Sequence, residues 1–152
     1  DPYYLSWIAK KNKINTKLIY QAGQINSQMP KWIISNVLKR TNLKKVLLLG
    51  AAYKKDVDDT RESPAIEFIK LLIKKNIKVD YYDPNVSVLK SRKLKKIYKS
   101  ITLNKKSISS YNCVFILADH TKINYKLIKK YSKLVIDTRN VFKRYNKKII
   151  KL

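Results

Sequence analysis

The stretch Val46-Leu47-Leu48-Leu49-Gly50 decides the fold class of this 152-residue chain. Four consecutive apolar residues that end in glycine predict a strand covered on both faces, which is typical of a parallel sheet. Ser63-Pro64 then predicts the start of a helix, with the serine as N-cap and the proline as the first helical residue. The apolar face of residues 65–73 continues this helix, and Asn76 can end it because asparagine tolerates the left-handed conformation.

Further apolar segments predict the rest of a sheet. Strands are expected at residues 77–82, 114–117 and 134–136, with a weaker one at 100–103, and short helices at 90–99 and 125–131. Because strands alternate with helices, the sequence predicts βαβ units. The expected fold is therefore α/β: a helical segment followed by a Rossmann-like, mostly parallel sheet of about five strands with flanking helices.

Residues 1–43 have the apolar spacing of helices rather than of strands. An asparagine-rich interruption at residues 12–15 separates two helical runs, and Pro30 is expected to begin a third helix because proline suits a first turn. We therefore divide the chain into a helical region, residues 1–43, and an α/β domain, residues 44–152.

The chain is strongly basic, with 35 Lys and Arg residues against 10 Asp and Glu and a net charge of +25. Its 45% content of hydrophobic residues excludes a disordered polyelectrolyte, and its single cysteine, Cys113, excludes a disulfide scaffold. No apolar run approaches the ~20 residues that cross a bilayer. One free cysteine and no targeting segment predict a cytoplasmic location. A nucleic-acid-binding module stays open, although only five basic residues are arginine and the lysines are spread along the chain.

Polar side chains follow the predicted strands at their carboxyl ends, at residues 50–64, 83–84, 119–120 and 137–140. Ligands of open α/β sheets bind at this edge, so the convergence predicts a functional site. The helix start after the first strand favours an anion, and Lys54 and Arg61 can add charge-assisted hydrogen bonds to phosphate. The loop lacks the glycine pattern of dinucleotide-binding loops and P-loops.

Simpler interpretations of these residues stay open. The charged residues of 58–62 can form a salt-bridged loop that only orders the turn, and Arg139 can form a surface ion pair with Asp137. His120 is the only histidine, which argues against a metal site and favours a hydrogen-bonded loop residue. Cys113 begins an apolar strand and is expected to be a small core residue rather than a nucleophile.

Several motifs resemble those of the UDP-glucose/GDP-mannose dehydrogenase family. The longest occupies residues 50–64 and is similar to the family stretch G-x-[AS]-[FY]-K-x-x-x-x-D-x-R-E-S-P. Three others follow in the family's order: Tyr81-Tyr82-Asp83-Pro84, Ala118-Asp119-His120 and Val135-Ile136-Asp137-Thr138-Arg139-Asn140. The opening Asp1-Pro2-Tyr3-Tyr4-Leu5-Ser6-Trp7 resembles the segment after the family's catalytic Cys-x-Pro-x-Asp motif, in the form most similar to the branch that oxidises UDP-N-acetylglucosamine.

The resemblance implies a three-part enzyme: an NAD-binding domain, a central helical dimerisation region (here residues 1–43) and a C-terminal UDP-sugar-binding domain (here residues 44–152). It implies oxidation of the sugar C6 alcohol to a carboxylate with reduction of two NAD, in polysaccharide precursor synthesis. The catalytic cysteine would precede Asp1, so the chain is expected to be a fragment that needs its NAD-binding domain for turnover. UDP-glucose, UDP-N-acetylmannosamine and GDP-mannose stay open as substrates.

The resemblance also implies roles for individual residues. Asp1 matches the catalytic aspartate that assists the active-site water. Tyr53, Lys54 and Arg139 match residues that bind the nucleotide sugar, and Arg61 matches an arginine that approaches the NAD pyrophosphate. The helices of residues 1–43 would form a homodimer interface, with Tyr4, Trp7 and Trp32 as candidate anchors.

Overall fold

The computed structural model describes residues 2–144 and 146–152, so Asp1, the predicted catalytic residue, lies outside the described residues. The described chain starts with two helices, α1 (Pro2–Lys11) and α2 (Lys17–Leu38). The predicted interruption between them is confirmed. The backbone N–H groups of Asn12 and Lys13 bond back to carbonyls of α1, and Lys13 takes a positive φ of 60°.

The predicted start of a third helix at Pro30 is wrong, because α2 continues through Pro30 without a break. Proline removes one intrahelical N–H and usually kinks or ends a helix. The turns after Pro30 are held in place by burial, since Ile33, Ile34 and Val37 pack into the core of the α/β domain. Tertiary packing therefore outweighs the local preference.

The α/β domain starts with β1 (Lys45–Leu49), α3 (Pro64–Lys74) and β2 (Lys78–Tyr82). Ser63 caps α3 as predicted, because its hydroxyl oxygen accepts the backbone N–H of Ala65 at 3.2 Å. Asn76 follows α3 with a φ of 58°, which confirms the predicted left-handed residue at the end of this helix.

Seven further elements complete the described chain: β3 (Val88–Leu89), β4 (Tyr98–Lys99), α4 (Lys105–Ser109), β5 (Cys113–Ile116), α5 (Tyr125–Tyr131), β6 (Val135–Asp137) and β7 (Ile149–Lys151). The predicted helix at residues 90–99 is wrong, because residues 90–97 connect the antiparallel strands β3 and β4 and residues 98–99 form β4 itself. Leu89 and Tyr98 are buried and pair across this hairpin. The intervening lysine-rich stretch has too few apolar residues to bury one helical face.

The predicted strand at residues 100–103 is reduced to one bridge, between Ser100 and Tyr81. The Ser100 hydroxyl accepts the backbone N–H of Asp83 and donates to its carbonyl, at 3.0 and 3.1 Å. Asn104 then caps α4 through the N–H of Ser107, so the chain leaves the sheet before a longer strand can pair. The fifth strand of the sheet is β7, which the sequence analysis missed.

The main sheet has the strand order β2-β1-β5-β6-β7, and each neighbouring pair is parallel. This confirms the predicted α/β fold with flanking helices. Val46 and Leu48 of β1 pack in the core cluster that contains α2 and α3, whereas Leu47 and Leu49 pack in the cluster that contains α4 and α5. Burial on both faces explains the uninterrupted apolar run of β1.

The parallel strands end at one edge of the sheet, which we call the carboxyl edge. It consists of the segments that follow β1, β2, β5 and β6, at residues 50–63, 83–87, 117–124 and 138–144. Within the part of the chain that the structure describes, no helix combines the length and apolar composition needed to span a membrane.

Candidate functional site

Gly50 brings the ends of β1 and β5 into direct contact at the carboxyl edge. It has a φ of +88°, and a Cβ atom built there would lie 2.6 Å from the backbone nitrogen of Ala118. Its own N–H donates to the carbonyl of Tyr82 at 2.9 Å, which links the end of β1 to the end of β2. Only glycine combines this conformation with this close approach.

Asp83 is a buried carboxylate that organises the segment after β1. The residue is 3% exposed, and its side chain is fully buried. Oδ2 accepts the backbone N–H groups of Ala51 and Ala52 at 2.6 and 3.0 Å. Oδ1 accepts those of Asn85 and Val86 at 2.8 and 3.0 Å. Burial acts to raise the pKa of Asp83, but hydrogen bonds from His120 and the backbone outweigh it and hold the pKa below its usual value.

His120 joins Asp83 to a second point of the same segment. The ring is fully buried, and its Nε2 lies 2.9 Å from Oδ2 of Asp83. Its Nδ1 accepts the backbone N–H of Asp56 at 2.9 Å. A backbone N–H can only donate, so Nδ1 carries the lone pair and Nε2 carries the proton that is donated to Asp83. His120 is thus a hydrogen-bonded histidine, as predicted, although it belongs to the interior.

Asp56 ties the segment after β1 to the segment after β5 a second time. Its carboxylate accepts the backbone N–H and the hydroxyl of Thr121, at 2.8 and 2.6 Å. These hydrogen bonds, led by that of the Thr121 hydroxyl, lower the pKa of Asp56. Asp56 itself takes a left-handed φ of 57°. The two segments therefore form one unit.

Tyr53 and Lys54, two of the predicted substrate-binding residues, are exposed on this unit. The Tyr53 side chain is 49% exposed, and Nζ of Lys54 lies 5.4 Å from the centre of its ring. The backbone N–H of Tyr53 donates to the carbonyl of Asp59 at 2.7 Å, which closes residues 53–59 into a loop. We call residues 51–59 the edge loop.

Arg61, the predicted cofactor-binding residue, follows the edge loop and pairs with Asp59. Its Nη2 donates to Oδ2 at 2.7 Å and its Nε donates to Oδ1 at 3.0 Å. The hydrogen bonds from the Arg61 side chain lower the pKa of Asp59 to about 2. This pair agrees with the simpler interpretation of a salt-bridged turn. The Arg61 side chain is nevertheless 89% exposed, so its guanidinium is accessible to an anion.

Arg139, the third predicted substrate-binding residue, faces Asp119 rather than Asp137. Its Nε lies 3.8 Å from Oδ1 of Asp119, and Nζ of Lys55 lies 4.0 Å from Oδ2 of the same carboxylate. The buried Asp137 instead accepts the backbone N–H groups of Arg139, Val141 and Phe142. The alternative of an Arg139–Asp137 ion pair is therefore wrong, because main-chain donors occupy that carboxylate.

The structure brings Lys55, Asp119 and Arg139 together, and two of these were absent from the predicted site residues. In the sequence, Asp119 stands out only as part of a polar segment after an apolar run, and Lys55 stands beside Lys54. The sequence signal that could have indicated this cluster was a lysine pair after β1 and an aspartate after β5, because these two strands are neighbours in the sheet. Cys113, as predicted, is a core residue: it is buried, and burial raises the pKa of its thiol.

The comparisons with known proteins agree with this geometry. Residues 47–144 match the model of the UDP binding domain of the UDP-glucose/GDP-mannose dehydrogenase family. The chain belongs to this family. The match covers β1 to β6 and the segments at the carboxyl edge, and it excludes α1 and α2.

Relatives within the UDP-glucose/GDP-mannose dehydrogenase family carry different substrate names. A UDP-N-acetyl-D-mannosamine dehydrogenase from Methanococcus vannielii is 33% identical over 93% of this chain and 33% of its own length. A UDP-N-acetyl-D-glucosamine 6-dehydrogenase from Pseudomonas aeruginosa is 29% identical over 57% of this chain and 22% of its own length. The chain spans about one third of the length of the first of these curated relatives.

Solved structures of the family share the fold. The UDP-D-ManNAc dehydrogenase from Pyrococcus horikoshii superposes with a TM-score of 0.71 at 26% identity, over 94% of this chain and 34% of that chain. A GDP-mannose dehydrogenase from Pseudomonas aeruginosa superposes with a TM-score of 0.82 at 19% identity, over 99% of this chain and 37% of that chain, a likeness of fold alone.

Proposed function

We propose that this chain binds the UDP part of a nucleotide sugar for an NAD-dependent dehydrogenase that oxidises the sugar at C6. The observation that carries the proposal is the gathering of cations at the carboxyl edge: Lys54 and Lys55 on the edge loop, and Arg139 after β6. A diphosphate is an anion that lysine and arginine side chains bind well. The family model, described as a UDP binding domain, supports this assignment.

We propose the following roles at this site. Tyr53, Lys54 and Arg139 contact the UDP-sugar, and Asp1 assists the active-site water. The exposed guanidinium of Arg61 fits one phosphate of NAD, whose nicotinamide ring accepts the electrons from C6 when it is bound. An NAD-binding domain elsewhere in the protein and a catalytic cysteine other than the buried Cys113 complete the enzyme. A single free thiol is compatible with a cytoplasmic location.

We propose a UDP-N-acetylhexosamine as the substrate. The opening Asp1-Pro2-Tyr3-Tyr4-Leu5-Ser6-Trp7 resembles the branch that acts on UDP-N-acetylglucosamine. Archaeal relatives at 33% identity are named for UDP-N-acetyl-D-mannosamine. Four candidates are compared: UDP-N-acetylglucosamine, UDP-N-acetylmannosamine, UDP-glucose and GDP-mannose. The nucleotide sugar that raises the melting temperature of the chain most is the preferred ligand.

Nucleotide binding tests the proposed site directly. We expect isothermal titration at about 0.15 M salt to detect UDP binding, and we expect Arg139→Ala to weaken it by about tenfold, because a hydrogen bond between charged groups is lost. The matched control is Arg40→Ala. It removes the same charge from an exposed position before β1, at the opposite end of the strands, and should change the affinity less than twofold.

Two outcomes would contradict this assignment. Equal losses in Arg139→Ala and Arg40→Ala would mean that UDP is attracted only by the net charge of +25. Tight, salt-sensitive binding of RNA or DNA with no response to UDP would favour the second candidate function, a nucleic-acid-binding module, for which that charge is the observation.

We propose that residues 1–43 form a helical dimerisation region and that the protein is a homodimer. The helices expose several large apolar side chains, among them Tyr4, Trp7, Leu18, Ile25 and Trp32. Trp32 is 50% exposed and Leu18 is 83% exposed. Large exposed apolar side chains on two helices that contact each other, as α1 and α2 do, are typical of a protein–protein interface.

The dimer is tested by sedimentation equilibrium of the full chain. We expect Trp32→Glu to raise the dissociation constant of the dimer at least about thirtyfold, because tryptophan contacts are often worth about 2 kcal/mol in interfaces. The control is Ile97→Glu, which places the same charge at an apolar residue that is 55% exposed between β3 and β4. A wild-type chain that stays monomeric, or equal effects of both variants, would reject this interface.

A further inference from the structure

We infer that His120 is a positioning residue that holds the edge loop in its nucleotide-binding shape. The inference rests on the proposed function, because it concerns the same site. The two ring nitrogens bond to different groups: Nε2 donates to the Asp83 carboxylate, and Nδ1 accepts the backbone N–H of Asp56, with Nδ2 of Asn85 a further 3.4 Å contact. His120 is completely buried, so its ring cannot contact a ligand directly. Any effect of His120 on nucleotide binding must act through the edge loop.

The ring fixes the edge loop at both sides of its cationic segment. The Oδ2 atom that bonds to His120 also accepts the N–H groups of Ala51 and Ala52. On the far side, Nδ1 holds the N–H of Asp56. Tyr53, Lys54 and Lys55 therefore lie between two clamped points, Ala52 and Asp56. Their side chains are exposed while the backbone on either side of them is anchored to one buried imidazole–carboxylate pair.

The clamp also holds an unfavourable backbone conformation. Asp56 has a φ of 57°, which residues other than glycine rarely adopt. The bond from its N–H to His120, together with the bonds from Thr121 to its carboxylate, keeps this conformation populated. Because the ring is fully buried and supplies the acceptor for the Asp56 N–H, replacing the ring leaves that N–H without its partner.

Two conservative substitutions separate the two contacts. His120→Gln carries an amide near the position of Nε2 and can still donate to Asp83, but it offers no acceptor at the position of Nδ1. His120→Asn carries an acceptor near the position of Nδ1 but does not reach Asp83. We expect His120→Gln to speed hydrogen exchange at the Asp56 amide at least tenfold and to weaken UDP binding at least tenfold, and His120→Asn to restore much of the Asp56 protection.

Tyr111→Phe is the control for loss of a polar contact elsewhere in the fold, although that contact is only partly buried. The Tyr111 hydroxyl donates to the Asp80 carboxylate at 2.9 Å. Tyr111 lies just before the start of β5 and thus away from the carboxyl edge. We expect this variant to lower the melting temperature while leaving both the Asp56 exchange rate and the UDP affinity within twofold of wild type. A general loss of stability would instead change all three measurements together.

The wild-type chain supplies a test that needs no variant. Because His120 is the only histidine, its ring nitrogens give unambiguous signals in ¹⁵N NMR spectra of the histidine-labelled chain. We expect the proton on Nε2, and a proton on Nδ1 would overturn the inference. Unchanged Asp56 exchange in His120→Gln would overturn it as well. If the wild-type chain binds no UDP, the proposed function fails, and the Asp56 exchange ratio alone decides for or against the clamp.

Discussion

The variant Asp83→Asn is expected to lose about 3 to 5 kcal/mol of the free energy of unfolding, because it breaks a buried, hydrogen-bonded charge. The carboxylate accepts four backbone N–H groups and the imidazole N–H of His120. An amide would turn an NH₂ group toward donors on at least one side. The result would be unpaired N–H groups in a site that is 3% exposed.

Urea denaturation followed by circular dichroism at pH 7 measures this loss. Asp58→Asn is the control, since it makes the same chemical change at an exposed aspartate of the edge loop and should alter stability by less than about 0.5 kcal/mol. A loss below about 1 kcal/mol in Asp83→Asn would show that the carboxylate is not an organising group.

The effect of Asp83 should depend on pH in a defined direction. The folded-state pKa of Asp83 lies below its ordinary value of 3.8. Its charge therefore contributes fully to stability above about pH 4, and that contribution is lost as the pH falls through the lower folded-state value. The difference in stability between wild type and Asp83→Asn is expected to narrow only in strongly acidic solution.

Replacing Gly50 by alanine is expected to cost about 2 to 4 kcal/mol of unfolding free energy. The new Cβ would lie 2.5 Å from the Cβ and 2.6 Å from the backbone nitrogen of Ala118, in a residue with a φ of +88°. Overlap with a backbone atom can be relieved only by moving β1 away from β5, and the positive φ adds strain of its own. Thermal and urea denaturation of the variant measure the loss.

Gly23, the only other glycine, is the matched control for this substitution. A Cβ at Gly23 would meet the hydroxyl oxygen and Cζ of Tyr3 at 2.6 and 2.7 Å, which belong to a side chain and not to the backbone. Alanine is also favoured over glycine inside a helix by about 0.5 to 1 kcal/mol. Gly23→Ala should therefore change stability by less than about 1 kcal/mol, and equal losses in both variants would refute the steric argument for Gly50.

Patterns within a few neighbouring residues correctly predicted the elements for which the local sequence preference and the burial in the fold favour the same structure. The apolar run of β1, the Ser63 cap and the left-handed Asn76 each depend on a few neighbouring residues, and each is confirmed. Pro30 was misjudged because its effect on α2 is decided by contacts with α3, which are distant in sequence. The strand β7 was missed because Ile149 and Ile150 form too short a run to stand out from the surrounding lysines.

The candidate site was predicted in position but not in detail. The rule that loops at the carboxyl ends of parallel strands converge brought Tyr53, Lys54 and Arg139 to one edge. The contacts that fix the edge loop and Arg139 could not be read from spacing, because Asp83 follows β2 and Asp119 and His120 follow β5. The alternative of an Arg139–Asp137 ion pair is wrong because backbone N–H groups already fill the Asp137 carboxylate, although the two residues are neighbours in sequence.

The carboxylate of Asp119 lies between two cations, with Lys55 on one oxygen and Arg139 on the other. In the free protein it acts as an internal counter-ion that offsets the repulsion between them. Under the proposed function, an incoming diphosphate would meet positive charges that folding has already assembled, so less ordering would remain to be done when the ligand binds. Association at this edge would then exchange one anion for another, and preorganisation of this kind would favour ligands that carry more than a single negative charge.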